Sequence, residues 1–115
     1  MELPTVDSVV IGLVKRGYWA NVGNPGRIMP HLTRPVIAVN LQESTLTSRT
    51  MVAYVCGPKS LGQVACENMA TQVAVLWSAD GADVRWGYYS FDNKGAMHTA
   101  KVYATWYRGE EATSE

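Results

Sequence analysis

The sequence contains few cysteines, and they are not arranged as a disulfide scaffold. Only Cys56 and Cys66 occur among its 115 residues. A disulfide-stabilised domain of this length would normally carry more, so we expect two buried free thiols in a reducing compartment. The pair has no CxxC spacing and no nearby histidine that could share a metal ion.

Long hydrophobic runs are absent, and so is an excess of either charge. No apolar run approaches the ~20 residues that span a bilayer, and the N-terminal charges stand in the reverse order of a signal peptide, so we expect synthesis in the cytoplasm and no membrane partner. Ten basic and ten acidic residues give a formal net charge of zero. Nucleic-acid-binding domains usually carry a basic stripe, so we expect no specific nucleic-acid binding, whereas low self-repulsion is compatible with self-association.

Motifs for catalysis, metal binding and cofactor binding are also missing. The two histidines, His31 and His98, lie outside every HxH, HExxH and HxxE pattern. Asp80, Asp83 and Asp92 are placed at turns, where carboxylates usually cap backbone N–H groups. There is no Walker A loop and no GxGxxG after a strand. We therefore predict no catalytic residue, no metal site and no cofactor, and we do not expect an enzyme.

Apolar residues make up 47% of the chain, enough for one hydrophobic core, and the length predicts a single domain over residues 1–115. Two helices are predicted. One spans residues 4–16, and the other runs from Ser60 to Trp77 with a capping box between Ser60 and Gln63. Their expected buried faces are Val6, Val9, Val10, Leu13 and Val14 in the first and Leu61, Val64, Ala65, Met69, Val73 and Leu76 in the second.

Four strands are predicted from the alternation of side chains. They span residues 35–43, 49–56, 83–91 and 97–108, and a strong turn signal at residues 92–95 joins the last two. The tail, residues 109–115, is polar and expected to be flexible. The order α-β-β-α-β-β indicates an α+β fold, in which an antiparallel sheet of about four strands is packed by two helices.

Residues 18–34 match neither a helical nor a strand period and form a long predicted loop rich in turn residues. Loops of this length are uncommon in compact domains and are often functional. Four large apolar side chains in this loop either fold back over the core or reach a neighbouring subunit. They are Trp19, Ile28, Met29 and Leu32.

The last two predicted strands carry aromatic residues on both faces, which a two-layer domain cannot easily bury. Tyr and Trp are favoured in interfaces because the ring is buried while the polar group keeps a partner. We therefore expect part of this set to join the four loop residues in a contact with another subunit. The aromatic candidates are Trp86, Tyr88, Tyr89, Tyr103, Trp106 and Tyr107.

The order and lengths of the predicted elements resemble the tail terminator (tail-completion) proteins of long-tailed bacteriophages. The resemblance runs from the amphipathic segment Val6–Val14 through PVIAVNL (Pro35–Leu41) and the helix Ser60–Trp77 to KVYATWY (Lys101–Tyr107). It implies a structural virion protein, made in the host bacterial cytoplasm and located in the tail. Its copies would form a ring, typically a hexamer, that caps the tail tube. The implied partners are further copies of the chain, the tail tube protein and the head-tail connector protein.

Two alternatives remain open. Related folds occur in other phage tail tube and baseplate subunits, so the resemblance does not fix the position in the tail. The other alternative is a small α+β module that binds a small molecule. A discrete ring would favour the terminator, whereas an apolar pocket with converging polar groups would favour the module.

Overall fold

The computed structural model describes residues 2–23, 33–87, 89–92 and 97–108. Within these ranges the chain forms two helices and six strands, in the order α1 (Val6–Lys15), β1 (Ala20–Val22), β2 (Val36–Ser44), β3 (Ser48–Pro58), α2 (Gln63–Ala79), β4 (Asp83–Trp86), β5 (Ser90–Asp92) and β6 (Met97–Tyr107). All six strands belong to one sheet with the order β1-β2-β3-β6-β4, and β5 also pairs with β6. The architecture is mixed α/β, with two helices and one sheet.

The expected four-stranded sheet with the order α-β-β-α-β-β is wrong in two places. Ala20–Val22, inside the predicted 18–34 loop, form β1, which pairs in parallel with β2. The predicted strand over residues 83–91 is two strands, because β4 and β5 pair with separate stretches of β6. Strands of three or four residues are too short for their alternation to stand out, so the sequence pattern missed one and merged the other two.

Helix α1 begins at Val6 because Thr5 caps it. The Thr5 hydroxyl accepts a hydrogen bond from the Ser8 N–H at 3.0 Å, and the Ser8 hydroxyl accepts one from the Thr5 N–H at 3.0 Å. This reciprocal capping box satisfies two N–H groups that would otherwise lack a partner. The helix ends before Gly17, whose φ of 93° is left-handed. The helix predicted over residues 4–16 is thus confirmed to within two residues at its ends.

Helix α2 begins later than predicted, and it buries a different face. The N-cap is Gly62, with a φ of 92° and no side-chain hydrogen bond, so the predicted Ser60–Gln63 capping box is wrong. Val64, expected in the core, is 67% exposed. The buried face consists of Cys66, Ala70, Val73, Ala74 and Trp77. Small residues along this face allow the helix to lie close to the sheet, and a pattern search for large aliphatic residues passes over them.

The centre of the sheet is formed by β2, β3 and β6. The strands β2 and β3 pair antiparallel from Val36 opposite Cys56 to Ser44 opposite Arg49, which confirms the predicted hairpin. Strand β6 pairs antiparallel with β3 along its whole length. Two strand pairings flank β3, so its alternate side chains are held on fixed faces of the sheet.

Both helices pack on one face of this sheet, and the main hydrophobic core lies between them and the strands. Helix α1 covers β1 and β2, whereas α2 covers β3, β6 and β4. The opposite face is also buried at its centre, where Ala38, Val52 and Cys56 are fully covered. On that face the hydroxyls of Thr50 and Thr105 share a buried hydrogen bond of 2.8 Å.

Candidate functional site

The structure describes six of the ten candidate interface residues, and these six lie in three environments. Ile28, Met29, Leu32 and Tyr88 lie outside the described residues. Trp19, Trp86 and Tyr107 are exposed, whereas Tyr89 and Tyr103 are partly buried and Trp106 is buried.

Trp106 is a core residue, and its assignment to an interface is wrong. Its side chain is 5% exposed and lies on the helix-covered face of β6. Its ring meets that of Trp77 edge to face, with centroids 5.4 Å apart and ring planes at 66°. Alternation along the sequence places Trp106 opposite in direction to Tyr107, but it does not reveal which of the two faces the helices cover.

Trp86 lies at the edge of the sheet, where its ring borders an apolar groove between α2 and β4. The side chain is 59% exposed. The groove, which we call the α2–β4 groove, has a volume of about 470 Å³. Its lining is Thr71, Ala74, Val75, Ser78, Ala79, Val84 and Trp86. Most of these side chains are apolar, so the groove can bind an apolar partner surface but offers little polar recognition.

Trp19 marks the opposite edge of the sheet, next to β1. The Arg34 guanidinium lies 4.4 Å from the centre of the Trp19 ring, and it also donates a hydrogen bond to the Gly17 carbonyl. The cation–π contact holds the ring at this edge. Val22, in β1 itself, is exposed as well. The sequence indicates Trp19 as a candidate but not Val22, because a strand of three residues carries no recognisable period.

A third exposed apolar set lies at one end of the sheet. Leu46, in the turn between β2 and β3, is 87% exposed, and Leu41 and Tyr107 are exposed too. Tyr107 pairs with Ser48 at the start of β3, so it belongs to the same end as the turn. Of these three residues, only Tyr107 is among the candidates predicted from the sequence.

Tyr89 takes part in aromatic and polar contacts within the chain, and Tyr103 is partly buried on β6. The Tyr89 hydroxyl shares a hydrogen bond with His98 Nδ1, and the His98 ring also stacks on Tyr89 and tilts against Phe91, with centroids 5.7 and 4.7 Å away. Tyr103 lies on the helix-free face beside Val52 and Arg85. His98 thus has ring contacts with both neighbouring aromatic side chains of its strand face.

Both cysteines are free and buried, as predicted. Burial raises the pKa of the Cys56 thiol to about 11, against a smaller lowering by its hydrogen bond with Thr99. Burial is also the main cause that raises the pKa of the Cys66 thiol to about 11. A nucleophilic cysteine needs a thiolate near neutral pH. These environments therefore make both thiols unreactive in the folded chain.

Within the described ranges, no group of three His, Cys, Asp or Glu side chains could hold a metal ion. In the same part of the chain, neither helix combines the length and apolar character of a membrane span. Among the described residues, exposed large apolar side chains lie at the two sheet edges and at the sheet end, and others lie on the outer surfaces of α1 and α2. No protein-family model, no curated protein and no solved structure matches the chain.

Proposed function

We propose that this chain is a structural assembly protein whose copies close a ring, and that the ring caps a phage tail tube and joins it to the head connector. The observation that carries the self-assembly is the α2–β4 groove with the exposed Trp86 ring on its border. Burial of the exposed part of this side chain would contribute roughly 3 kcal/mol at about 25 cal/mol per Å² of apolar surface. The terminator role rests on the resemblance of the predicted elements, of which the two helices and the long strands β2, β3 and β6 are kept in the observed order, whereas the short strands depart from it.

The distribution of the apolar side chains favours a ring over a two-fold dimer. Trp19 and Val22 lie at one edge of the sheet and Trp86 at the other, because β1 and β4 are the outermost strands of the described sheet. Two different patches on opposite sides suit a heterologous contact, in which one patch of each copy meets the other patch of the next. Such contacts form a closed ring when their rotation closes.

A ring built through the sheet edges leaves the strand ends for other partners. The apolar end with Leu41, Leu46 and Tyr107 would then face along the ring axis. Leu41 and Tyr107 lie on opposite faces of this end and Leu46 lies in the turn, so a partner that covers the whole end would bury all three. This end is therefore the proposed contact for the tail tube protein or for the head-tail connector protein.

The mass of the purified chain in solution tests the self-assembly. Sedimentation velocity with light scattering should give a discrete multiple of the 12.6 kDa chain, and electron microscopy should show closed particles. Trp86→Ala should weaken the assembly, whereas Leu46→Ala, which removes an even more exposed apolar side chain from the sheet end, should leave it intact. A chain that stays monomeric over the whole accessible concentration range would refute self-assembly.

Three further outcomes test the position in the tail, the role of the sheet end and the small-molecule alternative. Open fibres of unlimited length would favour a tube subunit over a terminator, because a terminator must stop growth. Binding of Leu46→Ala rings to tail tubes should be weaker than that of the unmodified ring, and equal binding would remove the proposed role of the sheet end. A small-molecule module would instead stay monomeric and gain thermal stability from a ligand in the groove.

A further inference from the structure

We infer that neighbouring copies join by antiparallel pairing of β1 of one copy with β4 of the next, so that the sheet continues from chain to chain. This inference rests on the proposed self-assembly and names the surfaces that would produce it. Both strands are edges of the described sheet. An edge strand carries backbone N–H and C=O groups that can pair with another chain.

The outward-pointing backbone groups of β1 belong to Ala20 and Val22. The Trp19 carbonyl accepts from the Ile37 N–H at 2.7 Å, and the Gly23 N–H donates to the Val39 carbonyl at 3.2 Å. In a parallel ladder these bonds come from alternate residues of one strand. Residues 19, 21 and 23 therefore face β2, and the N–H and C=O groups of the two residues between them point away from it.

The corresponding groups of β4 belong to Val84 and Trp86. The Gly87 N–H donates to the Lys101 carbonyl at 3.0 Å, and the pairs Arg85–Tyr103 and Asp83–Thr105 follow at two-residue intervals. Hydrogen-bonded pairs alternate along an antiparallel ladder. Positions 83, 85 and 87 thus face β6, and each edge presents two outward residues with the same spacing.

The strand directions also fit. Strand β1 runs parallel to β2, and three successive antiparallel pairings lead from β2 through β3 and β6 to β4. The two edges of the sheet therefore run in opposite directions. When a second copy is added in the same orientation, its β1 lies antiparallel to β4 of the first, which is the more stable pairing.

One register satisfies the outward groups of both edges, with Ala20 opposite Trp86 and Val22 opposite Val84 of the next copy. All four side chains lie on the helix-covered face, as their partners Ile37, Val39, Ala104 and Val102 show. Cross-strand neighbours share a face, so this register forms two apolar pairs and keeps the helices of both copies on one side.

In the same register, Trp19 lies opposite Gly87 of the next copy. The Tyr103 ring of that copy lies beside Gly87, since a Cβ at Gly87 would come within 2.8 Å of the ring. Without a Gly87 side chain, the Trp19 ring can pack across the backbone against Tyr103, as aromatic residues do beside edge glycines. Neither edge strand contains a proline, and the charged side chains of β4, Asp83 and Arg85, point to the helix-free face.

Proline substitutions test the pairing, because the Val22 and Val84 N–H groups point away from the ladders of their own chain. Val22→Pro and Val84→Pro should each raise the concentration for half-assembly by about tenfold or more. Each removes the N–H that donates one intermolecular hydrogen bond and changes the backbone geometry beside it. The matched variants Val22→Ala and Val84→Ala keep the N–H and should assemble within about threefold of the unmodified chain.

Mixing the two proline variants distinguishes this arrangement from a two-fold contact. The Val22→Pro chain keeps a competent β4, and the Val84→Pro chain keeps a competent β1, so an equal mixture should form a dimer of the two and stop there. Under a two-fold β4–β4 contact, Val22→Pro would assemble normally and the mixture would form no such dimer, which would overturn the inference.

Hydrogen exchange covers the case in which a proline variant does not fold. The amides of Ala20, Val22, Val84 and Trp86 should exchange at least about tenfold more slowly in the assembled chain than in the dilute one. Unchanged exchange at these amides, or assembly that survives both prolines, would overturn the strand pairing and leave the proposed ring standing. A chain that never assembles would overturn the proposed function as well.

Discussion

Replacement of Trp106 by alanine should unfold the core rather than weaken an interface. The side chain is buried between the sheet and the helices, where its ring meets Trp77 edge to face at 5.4 Å. Truncation of a buried tryptophan costs about 3–5 kcal/mol, through lost transfer free energy and through the cavity that remains. Small domains are stable by only about 5–15 kcal/mol, so the variant would be marginal.

The free energy of unfolding is measured by urea titration with far-UV circular dichroism. With an m-value of about 1.5 kcal/mol per molar urea, a loss of about 4 kcal/mol lowers the midpoint by roughly 2.5 M. The aromatic contact itself is isolated by a double-mutant cycle of Trp77→Phe and Trp106→Phe, whose coupling energy should be about 0.5–1.5 kcal/mol.

Trp86→Ala is the matched control for this prediction. Its ring is 59% exposed at the sheet edge, so in the dilute monomer the substitution should cost less than about 1 kcal/mol. The reasoning would be refuted if Trp106→Ala cost as little as this control. A similar loss at both positions would also contradict the assignment of one tryptophan to the core and the other to the surface.

Three further predictions concern buried groups. Thr50→Val or Thr105→Val alone should lower the free energy of unfolding by about 1–3 kcal/mol, because each leaves the other hydroxyl unpaired in a buried site. The double substitution should lower it by less than either single one, and additive losses in urea titrations would contradict this. Gly57→Ala places a Cβ 2.8 Å from the Cys66 sulfur and should lower the free energy of unfolding by roughly 1–3 kcal/mol. This loss should be smaller when Cys66→Ala is also present, and additive losses in the double variant would argue against the contact. The pKa values of Cys56 and Cys66 are raised from 9.0 to about 11, so the unfolded chain loses these protons at a lower pH than the folded chain. The contribution of the two thiols to the free energy of unfolding should therefore be fully present below about pH 9 and be lost between about pH 9 and 11. Urea titrations over this range should show a shallower decline when both cysteines are replaced by alanine, and an unchanged decline would refute the thiol contribution.

The regular central elements could be predicted because their patterns are long. β2, β3 and β6 each have nine or more residues, which is long enough for the alternation of side chains along the strand to be recognised. α1 has valines and a leucine at helical spacing together with a terminal glycine. β1 could not be predicted, because three residues between turn signals carry no period and its pairing with β2 is a tertiary contact.

The apolar edges of the candidate site were predicted only in part, for a related reason. The sequence indicates Trp19 and Trp86 as large aromatic residues, but the buried face that it predicts for α2 includes Val64, which is exposed. The helix buries Cys66 and Ala70, which contribute little to a hydrophobicity pattern. Exposure of Val64 follows from this rotation, and the rotation of a helix about its axis depends on how closely the helix can approach the sheet.

The two buried thiols have a practical consequence for work on this chain. Since Cys56 and Cys66 are protonated and covered in the folded state, a maleimide dye or a cross-linker will leave them unmodified at neutral pH. A single cysteine introduced at the exposed Leu46 would then be the only site labelled. Distances between dyes on separate copies could be measured in this way without first replacing the native residues.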